Sequence, residues 1–238
     1  MFETFKVRNI FVPKTKQMLW GIACWVMFFL GFSLILYPFF DLDTPNGAYW
    51  YQISNFCASF ILTSICFLPF LRESIAVTNF RNLPLQVLIG YGIEFVMAYA
   101  VTIALFFVRR ALGEESVNVN QETVEALVHQ NPLPMFICTC FLAPITEECL
   151  ARGMIFAPIC KNSPFWAYLL STLVFSGLHV LASIGEASVY NIIELLLTYL
   201  PSGIALGWMY QRSGTIIGSI ALHCVMNMIS MIYILLLF

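Results

Sequence analysis

The chain has 238 residues, of which 60% are hydrophobic and only 10% charged, with a formal net charge of -2 and a mean hydropathy of +0.85. A soluble domain carries about 25% charged residues and a disordered chain is more polar still, so this sequence is neither a water-soluble globular protein nor a disordered one. Its eleven Lys and Arg residues are scattered and form no basic footprint for a nucleic acid.

Seven apolar stretches, near 18–40, 53–71, 85–108, 134–158, 164–183, 188–210 and 214–237, reach the roughly 17–25 residues a bilayer crossing needs. The first follows Lys6, Arg8, Lys14 and Lys16. It is longer than the apolar part of a signal peptide and no A-x-A-like site follows it, so it reads as a retained membrane helix. The expected fold is an all-α polytopic membrane bundle of about seven (six to eight) helices, a single membrane domain over residues 1–238.

Positive charge in the loops sets the orientation. With the N-terminus inside, Lys6, Arg8, Lys14, Lys16, Arg72, Arg81, Lys161 and Arg212 fall inside, and only Arg109 and Arg110 outside. Residues 73–84 read as a cytosolic loop. Residues 113–132 are the most polar stretch, yet Val124, Leu127 and Val128 recur at helical spacing, which predicts a short helix at the interface. The eight cysteines lie mostly in apolar runs without a C-x-x-C pair; they read as packing residues rather than as disulfides or metal ligands.

Charged side chains at the bilayer centre cost about 2.5–3.5 kcal/mol on insertion scales. Those inside the spans therefore carry the information: Glu94, Glu147, Glu148, Arg152, His179, Glu194 and His223, with Asn227 beside them. Glu148 and Arg152 are i,i+4 with the acid first, the favoured order for a helical ion pair. Glu147 points about 100° away, so Arg152 neutralises one carboxylate and leaves the other. The bland alternative is an interfacial helix end with solvated charges. Phe175 and His179 share one helix face beside Gly177, which offers a close helix approach; alone, His179 also reads as a core histidine bonded to a carbonyl. His223 and Asn227 share another face and alone read equally as interhelical glue. Together, three spans supply two carboxylates, two imidazoles and a carboxamide. A carboxylate and a histidine activate a water, and a histidine and an asparagine hold an oxyanion, which fits peptide-bond hydrolysis without a covalent intermediate.

In order and spacing, E-E-x-x-x-R (Glu147, Glu148, Arg152), F-x-x-x-H (Phe175, His179) and H-x-x-x-N (His223, Asn227) resemble the CAAX-protease and bacteriocin-processing (Abi) family of intramembrane glutamate endopeptidases. Ala143-Pro144 before the acids and Ser213-Gly214-Thr215 before the last helix agree. The resemblance covers roughly residues 134–236, the expected catalytic core. It implies Glu147 as general base, His179 on the same water, His223 and Asn227 as oxyanion site, and Glu148, Arg152 and Phe175 in support. It implies no cofactor and no metal. A zinc site on His179, His223 and a glutamate is chemically possible, but H-E-x-x-H is absent.

Rival chemistries lack their residues. No G-x-S-G precedes a serine nucleophile, and the two aspartates, Asp41 and Asp43, lie in a loop. Cys140 and Cys149 lack partners that would lower a thiol pKa. The basic N-terminal segment and the lack of an organelle retention signal resemble the family's bacterial branch. The expected setting is a bacterial plasma membrane, and the expected substrate a hydrophobic peptide or membrane-protein segment cut near the face of Lys161 and Arg212. Glu94 and Glu194 either line the cavity or pair with Arg152 or a backbone donor. Two other classes remain: a non-catalytic immunity factor or modulator of a membrane partner, and a proton-coupled transporter, which the lack of an inverted repeat disfavours.

Overall fold

Hydroxyl and carboxamide caps and prolines set where the helices begin. The computed structural model describes residues 10–115, 118–185 and 187–237; Lys6 and Arg8, counted above for orientation, lie outside the described residues. Among the described residues, and apart from a short 3-10 turn at Leu181–Ser183, eight helical segments follow one another: α1 (Thr15–Phe39), α2 (Pro45–Val77), α3 (Leu83–Leu112), α4 (Val119–Gln130), α5 (Pro132–Cys160), α6 (Pro164–Val180), α7 (Val189–Ser213) and α8 (Ile216–Leu237). No strand occurs among the described residues. Six of the helices are long and apolar enough to cross a membrane, and α6, with 17 residues, is a shorter apolar one. All eight cysteines are free, five of them buried.

The second span begins well before the apolar run near 53. Thr44 Oγ1 accepts from the Gly47 amide at 3.1 Å, and Pro45 occupies the first helical position, where its missing N–H is no loss. The 33 residues of α2 rise about 50 Å, so the cytosolic loop expected over 73–84 shrinks to residues 78–82. Asn118 Oδ1 caps α4 through the Gln121 amide at 3.0 Å. The helix expected near 113–132 thus exists. Instead of lying free, it buries Val128 in a cluster with Tyr49, Ile53 and Met135.

Prolines also shape α5. A proline ring collides with the carbonyl four residues back, and the chain answers with widened π-type turns at Cys138–Leu142, ahead of Pro144, and at Cys149–Phe156, around the residues that Pro158 crowds. Glu147 and Glu148 stand between the two widened turns. Such turns recur at functional sites because they re-aim side chains within a helix.

α5 is the most buried of the six long spans and α3 the least. α7 packs along α6, α3 and α8. Its close approach to α6 uses glycines that the sequence reading passed over. A Cβ on Gly203 would stand 2.7 Å from Thr172 Cγ2, and one on Gly207 would stand 3.0 Å from Phe156 Cε2 and 3.1 Å from Tyr168 Cε1. Gly177, expected to admit a neighbouring helix, faces open space; the small-residue seam runs along α7 instead. Gly203→Ala is therefore expected to cost about 1–3 kcal/mol through overpacking, read as a lower midpoint in tryptophan-fluorescence melting of the detergent-solubilised protein. An unchanged midpoint would show that the seam opens freely.

The two ends of the bundle are distinct. At one end the Phe11 amide donates to Gly214 O at 2.9 Å, Tyr210 Oη donates to Phe11 O at 2.7 Å, and Lys14 pairs with Glu73 at 2.8 Å. Lys161 follows α5 and Arg212 lies in the last turn of α7 on that side. At the opposite end Tyr49 Oη donates to Asn131 O at 2.9 Å, beside α4.

Candidate active site

The three motifs converge from α5, α6 and α8. Glu147 and Glu148, consecutive on α5, face different surroundings because one residue turns the helix by about 100°. Glu148 is completely buried. Its Oε1 lies 2.9 Å from Arg152 Nη1 and 3.0 Å from His223 Nδ1, and its Oε2 accepts from the Ser219 hydroxyl. Four buried polar groups thus pair with one another, although Arg152 Nε is left without a partner; such mutual pairing is the condition under which charge survives in an apolar interior.

Arg152 is held on three sides. Besides Glu148, its Nη2 donates to Gly203 O at 3.2 Å, and its Cζ lies 4.3 Å from the centre of the Phe175 ring, a cation–π geometry. Phe175 also touches His179, with ring centres 4.7 Å apart, and meets His223 edge-on at 5.6 Å. The phenylalanine of F-x-x-x-H thereby separates the buried Glu148–Arg152 pair from His179.

Glu147 is different. Its Oε2 has no hydrogen-bond partner although it is buried, and it lies 3.9 Å from His179 Nε2 and 3.9 Å from His223 Nε2. Those separations are too long for direct hydrogen bonds and match the span of a single water-sized bridge. The far nitrogens of both rings are occupied: His179 Nδ1 lies 2.9 Å from Phe175 O and His223 Nδ1 3.0 Å from Glu148 Oε1. Carbonyl and carboxylate oxygens only accept, so both Nδ1 atoms carry a proton, and both Nε2 atoms turn toward Glu147.

A cavity of about 320 Å³ adjoins these groups, with Glu147, His179 and Asn227 in its wall. Gln52, Thr139 and Ser230 add neutral polar atoms, and Phe28, Phe56 and Ile234 add apolar surface. Asn227 Nδ2 donates to Thr139 O at 2.8 Å, which leaves its second N–H for a ligand. His223, 3% exposed, stands behind the wall. The cavity reaches Asn120, Gln121 and Val124 of α4, at the end of the bundle opposite Lys161 and Arg212. The expectation of cleavage near those two cations does not fit this placement.

Glu147, Glu148, Arg152, Phe175, His179, His223 and Asn227 thus form one cluster. Glu94 and Glu194 do not join it and neither pairs with Arg152. Glu94 Oε1 accepts from Ser202 Oγ at 3.2 Å, and Glu194 Oε1 lies 3.4 Å from Arg109 Nη1. Sequence reasoning missed Ser219 and Tyr199. Ser219 is four residues before His223 and eight before Asn227, so the same spacing argument reaches it. Tyr199 stacks on His179 with ring centres 4.3 Å apart; a tyrosine in an apolar helix carries no spacing signal of its own. Among the described residues, no group of three or more His, Cys, Asp and Glu side chains is arranged to hold a metal ion.

Residues 129–229, which contain all three motifs, match the family model described as type II CAAX prenyl endopeptidase Rce1-like. The chain is 24% identical to the UPF0177 protein YaiH of Lactococcus lactis subsp. lactis (strain IL1403), over 95% of its own length and 92% of that protein's. It is 26% identical to the UPF0177 protein YvdC of the same strain, over 49% of its own length and 43% of that protein's. No solved structure matches the chain. Through residues 129–229, this polytopic helical membrane protein is similar to the Rce1-like type II CAAX prenyl endopeptidases.

Proposed function

We propose that the chain is an intramembrane endopeptidase that hydrolyses a peptide bond with a glutamate-activated water and no metal. The observation that carries this reading is the unpartnered, buried Glu147 Oε2 facing two imidazole nitrogens at 3.9 Å on the wall of a polar cavity. A water seated there donates one proton toward Glu147 and the other toward His179 Nε2, which turns its lone pairs to the substrate carbonyl. Glu147 takes a proton as the water oxygen bonds to the carbonyl carbon. The resulting oxyanion accepts from the free N–H of Asn227 and from the Nε2–H of His223, which carries that proton before the attack and keeps it throughout; the buried Glu148 carboxylate steadies the imidazolium. Glu147 then returns its proton to the amide nitrogen, the C–N bond breaks, and a carboxylic acid and an amine leave.

The cavity wall has Glu147 as its sole Asp, Glu, Lys or Arg among the described residues, beside carboxamides, hydroxyls and apolar groups. That composition suits an uncharged stretch of a hydrophobic peptide or membrane-protein segment, as in the processing of bacteriocin or pheromone peptides or in self-immunity. The expected setting is a bacterial plasma membrane with the N-terminus inside, which puts the α4 end of the bundle outside.

The test compares peptide termini, by mass spectrometry, in membranes with and without the protein, with and without 1,10-phenanthroline. New termini flanked by uncharged residues, formed equally with the chelator, are the expected result. Chelator-sensitive cleavage would overturn the metal-free mechanism. No protein-dependent terminus, alongside a host phenotype that survives, would favour a non-catalytic binding role.

A further inference from the structure

Two side chains that no motif contains converge on His179. Its ring is anchored at Nδ1 to Phe175 O, a carbonyl of its own helix, and one contact at one ring atom leaves the plane free to pivot. Phe175 meets the ring at 51° and so does not set its plane. Tyr199 of α7 does: its ring is 4.3 Å away and inclined by only 28°. The Tyr199 hydroxyl accepts from Asn120 Nδ2 at 3.0 Å. Asn120 belongs to α4, and Asn120 and Tyr199 both line the cavity that holds Glu147.

We propose that Tyr199 is a positioning residue for His179, and that Asn120 holds Tyr199 in register, which makes α4 part of the catalytic apparatus. The proposal rests on His179 sharing the hydrolytic water with Glu147. The direction in which Nε2 points decides whether it receives that water's proton, and the face-to-face stack fixes this direction without touching the water. An aromatic ring is enough for the stack; the hydroxyl serves the link to Asn120 and its neighbourhood. Tyr199 leaves the same helix that presents Gly203 O to Arg152 one turn later, so α7 braces the buried ion pair and His179 together.

The test uses the full-length protein with 13C-labelled histidine in dodecylmaltoside micelles. The chain has three histidines, and His179→Ala assigns the relevant signal. The His179 ring protons, shielded by the tyrosine face, are expected to shift only part of the way in Tyr199→Phe, which keeps the stack but loses the link to Asn120. They should move downfield and broaden in Tyr199→Leu, and shift part of the way in Asn120→Ala. On a quenched fluorescent peptide copied from the mass-spectrometric cleavage site, Tyr199→Leu should lower kcat on the order of 100-fold with KM within about threefold, and Tyr199→Phe should stay within about threefold of wild type. An unmoved His179 signal in a folded Tyr199→Leu or Asn120→Ala protein overturns the proposal. So does a Tyr199→Phe protein as slow as Tyr199→Leu, because the hydroxyl would then be the working group. Signals that move as expected in a protein that cleaves nothing would leave the positioning contact standing and overturn the protease reading instead.

Discussion

Glu147→Gln is expected to remove protein-dependent cleavage, by about 10²–10⁴-fold as for the loss of a general base, while leaving the protein as stable as before. Both halves come from the same geometry. A glutamine fills the same space and still accepts a hydrogen bond from water, but it cannot take the proton that the attacking water must lose. Stability is spared because Glu147 Oε2 has no partner to lose and its imidazole neighbours stand at 3.9 Å. Replacing an unpaired buried charge by a neutral isostere relieves a desolvation penalty rather than breaking a bond, so the thermal midpoint should hold or rise. The check pairs quantitative mass spectrometry of peptide termini with melting of the purified variant. A folded Glu147→Gln protein that still cleaves would remove Glu147 as the base and with it the proposed mechanism.

The parts of this molecule that were legible in its sequence are those with a period or an energetic anomaly. The spans were legible because a 20-residue apolar run has few soluble explanations. The site was legible because Glu147, Glu148, Arg152, His179 and His223 are costly in such runs, and because i,i+4 spacing orients Glu148 with Arg152 and His223 with Asn227. The start of α2 was misplaced because Asn46, Tyr51 and Gln52 lower the local hydropathy. The local signal was nevertheless present in Thr44-Pro45, a cap followed by a first-turn proline. Other features depend on which helices become neighbours, and no single-chain pattern records that. Glu194 meets Arg109 rather than Arg152 because α7 lies along α3. Gly177 was singled out and faces open space, whereas Gly203 and Gly207 form the tight seam. Tyr199 and Asn120 acquire meaning only once α4, α6 and α7 are assembled.

The adjacent carboxylate predicts the opposite behaviour. Arg152→Ala is expected to destabilise the protein by about 3–5 kcal/mol, the cost of leaving a buried carboxylate without its cation. Glu148 is fully buried; without Arg152 it keeps only Ser219 and His223. The truncation also strips the guanidinium from the Phe175 face and from Gly203 O, so the contact between α5, α6 and α7 loosens at its centre. Arg152→Lys should recover only part of the loss, because one ammonium does not reproduce a planar fork that serves a carboxylate, a carbonyl and an aromatic face together. Glu148→Gln combined with Arg152→Met should be more stable than Arg152→Ala alone, since no unpaired charge remains buried. It should still be slow, because His223 would lose the carboxylate that steadies its protonated form. Thermal melting in detergent with parallel cleavage assays separates the two effects. Equal midpoints for Arg152→Ala and wild type would mean that water or lipid headgroups solvate Glu148, and that the polar cluster is not sealed from its surroundings.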